Sequence, residues 1–98
     1  MKLNSYNAKL TVKELREAVG MSEKQFAAAM CKQNPKHYDL STESGRWWFD
    51  WFESQNLFEV RADRLLRIAK ALNCKFFCQF ELPSGHFVAV GDKPDEED

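Results

Sequence analysis

The stretch from Arg61 to Leu82, RADRLLRIAKALNCKFFCQFEL, changes its apolar period partway along, and that change limits the folds open to the chain. Ala62, Leu65, Leu66, Ala69 and Leu72 recur at i, i+3, i+4 and i+7 spacing, the signature of a helix with one apolar stripe. Arg64, Arg67 and Lys70 fall on other faces and are expected to stay in water. Asn73 is the predicted stop, because asparagine tolerates the left-handed conformation on which helices often end. From there the period becomes 2: Phe76, Cys78, Phe80 and Leu82 alternate with Phe77, Gln79 and Glu81, as in a half-buried strand. A short helix followed at once by such a strand needs earlier helices to pack on and another strand to pair with.

The chain is long enough to supply both. Its 98 residues make one domain, above the roughly 70–80 residues below which disulfides or metals are usually needed. With 44% hydrophobic and 30% charged residues it reads as globular and water-soluble. No apolar run approaches the ~18 residues of a membrane span, and MKLNSYNAKL has no signal-peptide apolar region, so the expected location is cytoplasmic. The formal charge of −1 conceals an asymmetry: residues 92–98, DKPDEED, hold five acids and one lysine, and the remainder has 13 basic and 10 acidic residues. The tail is read as a solvated, disordered end, or as a competitor with nucleic acid for a basic face. Cys31, Cys74 and Cys78 are odd in number, which argues against a disulfide framework. Four residues apart on a strand, Cys74 and Cys78 would lie about 13 Å from each other, too far to bridge. All three are expected to be small buried hydrophobes.

Along the chain, Leu3, Tyr6 and Leu10 are available to pack in a polar lead-in. Thr11 and Glu14 form a predicted capping box for a helix, TVKELREAVG, with Val12, Leu15, Ala18 and Val19 inward and Gly20 as its stop. Only Met21 intervenes before Ser22, the predicted cap of a second helix, SEKQFAAAM, with Phe26, Ala27 and Met30 inward. Helices joined so tightly must cross steeply. Cys31 to Leu40 is aperiodic, contains Asn34-Pro35, and is expected to be a loop. A third helix starts at Ser41 or Ser44 and runs to about Ser54, with Trp48, Trp51 and Phe52 sharing one face, which excludes Trp47 and Phe49 from it. After the connection NLFEV comes the helix described first. Pro83-Ser84-Gly85 reads as a hairpin loop, and HFVAV as the return strand. The element order is therefore mainly α, ending in a β-hairpin.

Nothing in the sequence predicts an enzyme. His37 and His86 are the only histidines, without a nucleophile or carboxylate at a recognisable spacing. No glycine-rich phosphate loop or metal-ligand spacing is present, so no cofactor and no metal are expected.

Three stretches, LREAVGMSEKQFAAAM, the serine-started third helix ending in Trp51, and LLRIAKALNC, resemble the Cro/cI-type (Xre) helix-turn-helix DNA-binding domains over roughly residues 12–73. The resemblance implies a four-to-five-helix, lambda-repressor-like helix-turn-helix domain over residues 1–91. Its C-terminal β-hairpin spans 74–90, and the acidic tail 92–98 follows. Antitoxins of the HipB and HigA kind follow the closing helix with a strand that pairs across a dimer, and CKFFCQFEL is similar to that strand. The residues expected to form a homodimer interface are thus Phe76, Phe77, Cys78, Phe80 and Leu82.

For function the resemblance implies a repressor that binds double-stranded DNA as a homodimer. Ser22 and Gln25 at the start of the second helix would meet phosphate. Glu23 stands where the family usually has a glutamine, and a carboxylate facing phosphate is unfavourable. With Ser44 as cap of the third helix, Gly45, Arg46 and Trp47 would occupy its base-facing first turn, and Arg46 would pair with guanine. Trp47 would meet thymine methyls or sugars, belong to a protein interface, or lie in the core. The connection between the second and third helices is longer than the family's. Its Lys32, Lys36 and His37, with Gln33 and Asn34, would touch the backbone or simply be solvated. The alternative is an antitoxin or inhibitor on the same fold, capturing a toxin or enzyme through exposed Trp47, Phe49 and Phe58.

Overall fold

Thr11 and Ser22 each begin a helix by closing a capping box. The Thr11 hydroxyl accepts from the Glu14 N–H while the Glu14 carboxylate accepts from the Thr11 N–H, and Ser22 and Gln25 repeat the arrangement. The computed structural model describes residues 9–34 and 38–92. Among them are four helices, α1 (Val12–Val19), α2 (Glu23–Gln33), α3 (Glu43–Glu53) and α4 (Ala62–Ala71), and a 3-10 turn, Leu57–Glu59. They are followed by an antiparallel pair, β1 (Phe77–Glu81) and β2 (Phe87–Gly91). The described chain is thus mostly helical and ends in a two-stranded hairpin. None of its helices is long and apolar enough to cross a membrane.

Both predicted helix stops are present and use one device. Gly20 at φ 85° and Asn73 at φ 57° are left-handed. Beyond them the Met21 N–H reaches the Arg16 carbonyl and the Cys74 N–H reaches the Ala69 carbonyl. These bonds satisfy carbonyls the helix end leaves open and turn the chain out of the helix. The start of α1 is in turn tied to the α3–α4 connection, where Val12 N–H donates to Gln55 O (3.0 Å) and Leu57 N–H to Leu10 O (2.8 Å).

Phe26 of α2 is the centre of the core. Its ring lies 5.9 Å from Phe49 and 6.0 Å from Phe52 of α3, with Met30, Ile68, Leu72 and Val12 closing around them. Tyr38, in the connection read as loop, is buried too, edge-on to Trp48 (4.9 Å) and Phe52 (5.4 Å). Each such ring removes enough apolar surface to contribute about 1.5–3 kcal/mol, and favourable ring geometry adds about 0.5–1.5 kcal/mol per pair.

Several expectations are corrected. Helix α2 runs three residues further than expected, so Cys31, Lys32 and Gln33 are helical and not loop. Helix α3 is capped by Thr42, whose hydroxyl accepts from the Gly45 N–H, and not by Ser41 or Ser44. Its rotation also differs: Phe49 is 1% exposed and Trp51 44%, so Phe49, Phe52 and Glu53 face inward, while Trp51 leans on Trp48 (5.8 Å) at the edge. On α1, Ala18 and Val19 are exposed, and Arg16 takes the inward position four residues after Val12. On α4, Ile68 is buried, Ala62 and Leu66 are exposed, and Arg64 is half-buried. The three cysteines are free thiols, but Cys78 is exposed and Cys74 precedes the strand.

The hairpin pairs Phe77 with Gly91, Cys78 with Val90, Phe80 with Val88 and Glu81 with Phe87. Its loop has Gly85 at φ 89°, as Pro83-Ser84-Gly85 suggests. At its base Phe76 N–H donates to Asp92 Oδ2 (3.0 Å) and Asp92 N–H to Phe76 O (2.7 Å). Both strands are exposed throughout, where a half-buried strand was expected. Facing residues of an antiparallel pair share a side, so Cys78, Phe80, Val88 and Val90 make one apolar face, with Phe80 59% and Val90 54% exposed.

Candidate nucleic-acid interface

Arg16 is the point at which the first three helices meet. Its guanidinium grips the Glu53 carboxylate with Nε on Oε2 (2.5 Å) and Nη2 near Oε1 (3.3 Å), while Nη1 donates to Met21 O (2.9 Å). Glu23 at the start of α2 lies 3.8 Å away on the same guanidinium. The end of α1, the turn, the beginning of α2 and the last residue of α3 are therefore held by one buried cation. The bond to Glu53 raises the Arg16 pKa, against the opposing effect of burial. A buried pair of this kind adds little net stability, but removing one partner strands the other charge and costs about 3–5 kcal/mol. Its contribution is geometric: it sets the rotation of α3. The signal is faintly present in the sequence, as one inward cation on α1 and one inward acid on α3.

With Gly45, Phe49, Phe52 and Glu53 inward, the first turn of α3 presents Ser44, Arg46 and Trp47 to solvent. Gly45 itself does not face outward. A Cβ there would come within 1.8 Å of the Asp39 carbonyl oxygen, so glycine lets the preceding loop close onto the helix. That corrects its expected base-facing place. The loop is shaped by Asp39, whose carboxylate accepts from the Ser41 N–H (2.9 Å) and hydroxyl (2.5 Å), which lowers its pKa. Arg46 is exposed and donates from Nη1 to Leu40 O (3.2 Å). Trp47, 70% exposed, excludes the core reading and shares its face with Glu43 and Asp50, both exposed.

Ser22 and Gln25 are exposed at the start of α2, with their side chains engaged in the capping box. The charge of Glu23 is partly answered by Arg16. Lys32 is exposed in the last turn of α2. Lys36 and His37 lie outside the described residues, as does the acidic tail beyond Asp92. For the alternative patch, Phe58 is exposed but Phe49 is core, so the three aromatics expected together are not one surface.

Phe77, Cys78, Phe80 and Leu82 are exposed and Phe76 half-buried. Where the hairpin leaves α4, an open groove of about 670 Å³ runs between Leu15, Val60, Leu65, Leu66, Phe76 and Phe77, and its walls are apolar. Among the described residues no group of His, Cys, Asp and Glu is arranged to hold a metal ion.

Reasoning from sequence missed Arg16, Glu53 and Tyr38, because each is polar or lies in an aperiodic segment while its environment is tertiary. No protein-family model, curated protein or solved structure matches this chain.

Proposed function

We propose that the chain is a sequence-specific DNA-binding regulator of the Cro/cI helix-turn-helix kind, acting as a homodimer through its hairpin. The observation that carries this reading is the fastening of α3: Phe49, Phe52 and the Arg16–Glu53 pair hold its inner side, while Ser44, Arg46 and Trp47 are exposed near its start. A rigid helix with an exposed N-terminal turn suits insertion into the major groove, where an arginine recognises guanine through two hydrogen bonds. The apolar hairpin face and the neighbouring groove supply a surface for a second copy, and two copies would read two half-sites one helical turn apart.

A second reading has its own support. Trp47 lies between Glu43 and Asp50, which phosphate would repel and which a basic protein partner would match. In that version α3 captures a protein, as an antitoxin or enzyme inhibitor does.

Selection from random duplexes by the purified protein distinguishes the two. A preferred site should emerge, and Arg46→Ala should weaken binding to it by about 1–3 kcal/mol and relax preference at one base pair. If no sequence is enriched, base readout by α3 is rejected, and capture through Trp47, with Trp47→Ala as control, is the reading to pursue.

A further inference from the structure

The cations of this chain are not distributed like its candidate reading head. Arg61, Arg64, Arg67 and Lys70 recur every third residue along α4, and Asp63 is the one acid among them, paired with Arg61 at 3.2 Å. No carboxylate among the described residues lies within salt-bridge distance of Arg64, Arg67 or Lys70. Successive members of such a row are displaced around the helix, so it winds from one side to the other. It begins against α3, with the Arg64 guanidinium 6.0 Å from the Trp48 ring, within reach of a cation–π contact. Arg64 and Arg67 also lie close enough to Tyr38 to oppose the upward push of burial on its hydroxyl. The row ends on a depression of about 560 Å³ whose walls include Gln33, Arg67, Lys70 and Lys75, with Asp92 as the one carboxylate among them. Gln33 Nε2 donates to the Arg67 carbonyl (3.0 Å) and ties this side of α4 to α2.

We infer that Arg64, Arg67 and Lys70 form a phosphate-backbone grip, a sequence-independent nucleic-acid surface separate from the first turn of α3. Arg64 to Lys70 spans about 9 Å of helix axis, while each strand places a phosphate every ~3.4 Å along the duplex axis, so the row covers two or three phosphates of one strand. Unpaired guanidinium and ammonium groups on a helix held by the core meet such a strand without first breaking an internal ion pair. The grip needs no base contact, so it stands whether or not α3 reads sequence.

The test is fluorescence anisotropy of the full chain on a labelled random-sequence duplex, from about 50 to about 200 mM salt, where affinity falls with a slope near −0.9 per phosphate neutralised. The variant carrying Arg64→Gln, Arg67→Gln and Lys70→Gln should bind more weakly and with a slope shallower by about two to three. Arg46→Ala should change that slope by no more than about one. Should the triple variant not fold, judged by its melting curve, Arg67→Gln and Lys70→Gln singly should each flatten the slope by about one. An unchanged slope in these variants, or no duplex binding by the wild type at the lower salt, overturns the inference. Failure of base readout instead appears as no enriched sequence in the selection and leaves these slopes as they are.

Discussion

Trp51 and Phe49 show how much rests on one residue's direction. Both are large and apolar on the same helix, and either can head a plausible inward stripe with Phe52. Phe49 contacts Phe26 and Phe52 and is sealed from water, whereas Trp51 touches Trp48 with nearly half its surface still wet. Truncation cost follows the contacts and cavity left behind. Phe49→Ala should therefore lose about 3–5 kcal/mol, enough to unfold much of a domain whose whole stability is of order 5–15 kcal/mol. Trp51→Ala should lose about 1 kcal/mol, nearer the cost of a surface change. Urea denaturation of the two variants checks this, and equal losses would mean that α3 is rotated from the position described.

Among the elements, α3 depends most on what lies outside it. Thr42 caps it, Glu53 fastens its far end to Arg16, and the loop from Tyr38 to Ser41 presses on its first turn at Gly45. Glycine inside a helix is disfavoured by about 1 kcal/mol relative to alanine, so Gly45→Ala would stabilise a helix free of neighbours. Here the added methyl meets the Asp39 carbonyl oxygen, and overpacking of this kind costs about 1–3 kcal/mol. The steric term wins where the backbone cannot retreat, and the ring packing of Tyr38 opposes retreat. Gly45→Ala should lower the melting temperature, and a raised one would show that the loop is not pressed against the helix. The same loop accounts for the choice of cap: Ser41, Thr42 and Ser44 are all competent, and the Asp39 turn leaves Thr42 in the capping position.

On the scale of the whole molecule, the helical body buries Phe26, Tyr38, Phe49 and Phe52, while the hairpin buries none of its aromatics. A two-stranded hairpin is marginal in water by itself, and the Cys78, Phe80, Val88, Val90 face is the kind of contiguous apolar surface that marks an interaction site. A second copy placed on it completes the reading as a dimer. Light scattering at tens of micromolar should report a dimer for the wild type, and Phe80→Thr with Val88→Thr, which keep strand propensity but remove apolar area, should shift it to monomer while the helical signal persists. A monomeric wild type would reject dimerisation through this face.

What was legible in the sequence is what depends on neighbours along the chain. The capping box at Thr11, the cap at Ser22, the left-handed stops at Gly20 and Asn73 and the Gly85 turn each follow from hydrogen bonds and dihedral limits spanning a few residues. Tertiary contact decided the rest. The rotation of α3 hangs on a guanidinium 37 residues away, the burial of Tyr38 on rings from another helix, and the fit of Gly45 on a loop carbonyl. Local patterns constrain which residues share a helix face, but several faces of α3 are apolar enough to turn inward. The choice between them belongs to the one arrangement in which every buried charge and ring finds its partner.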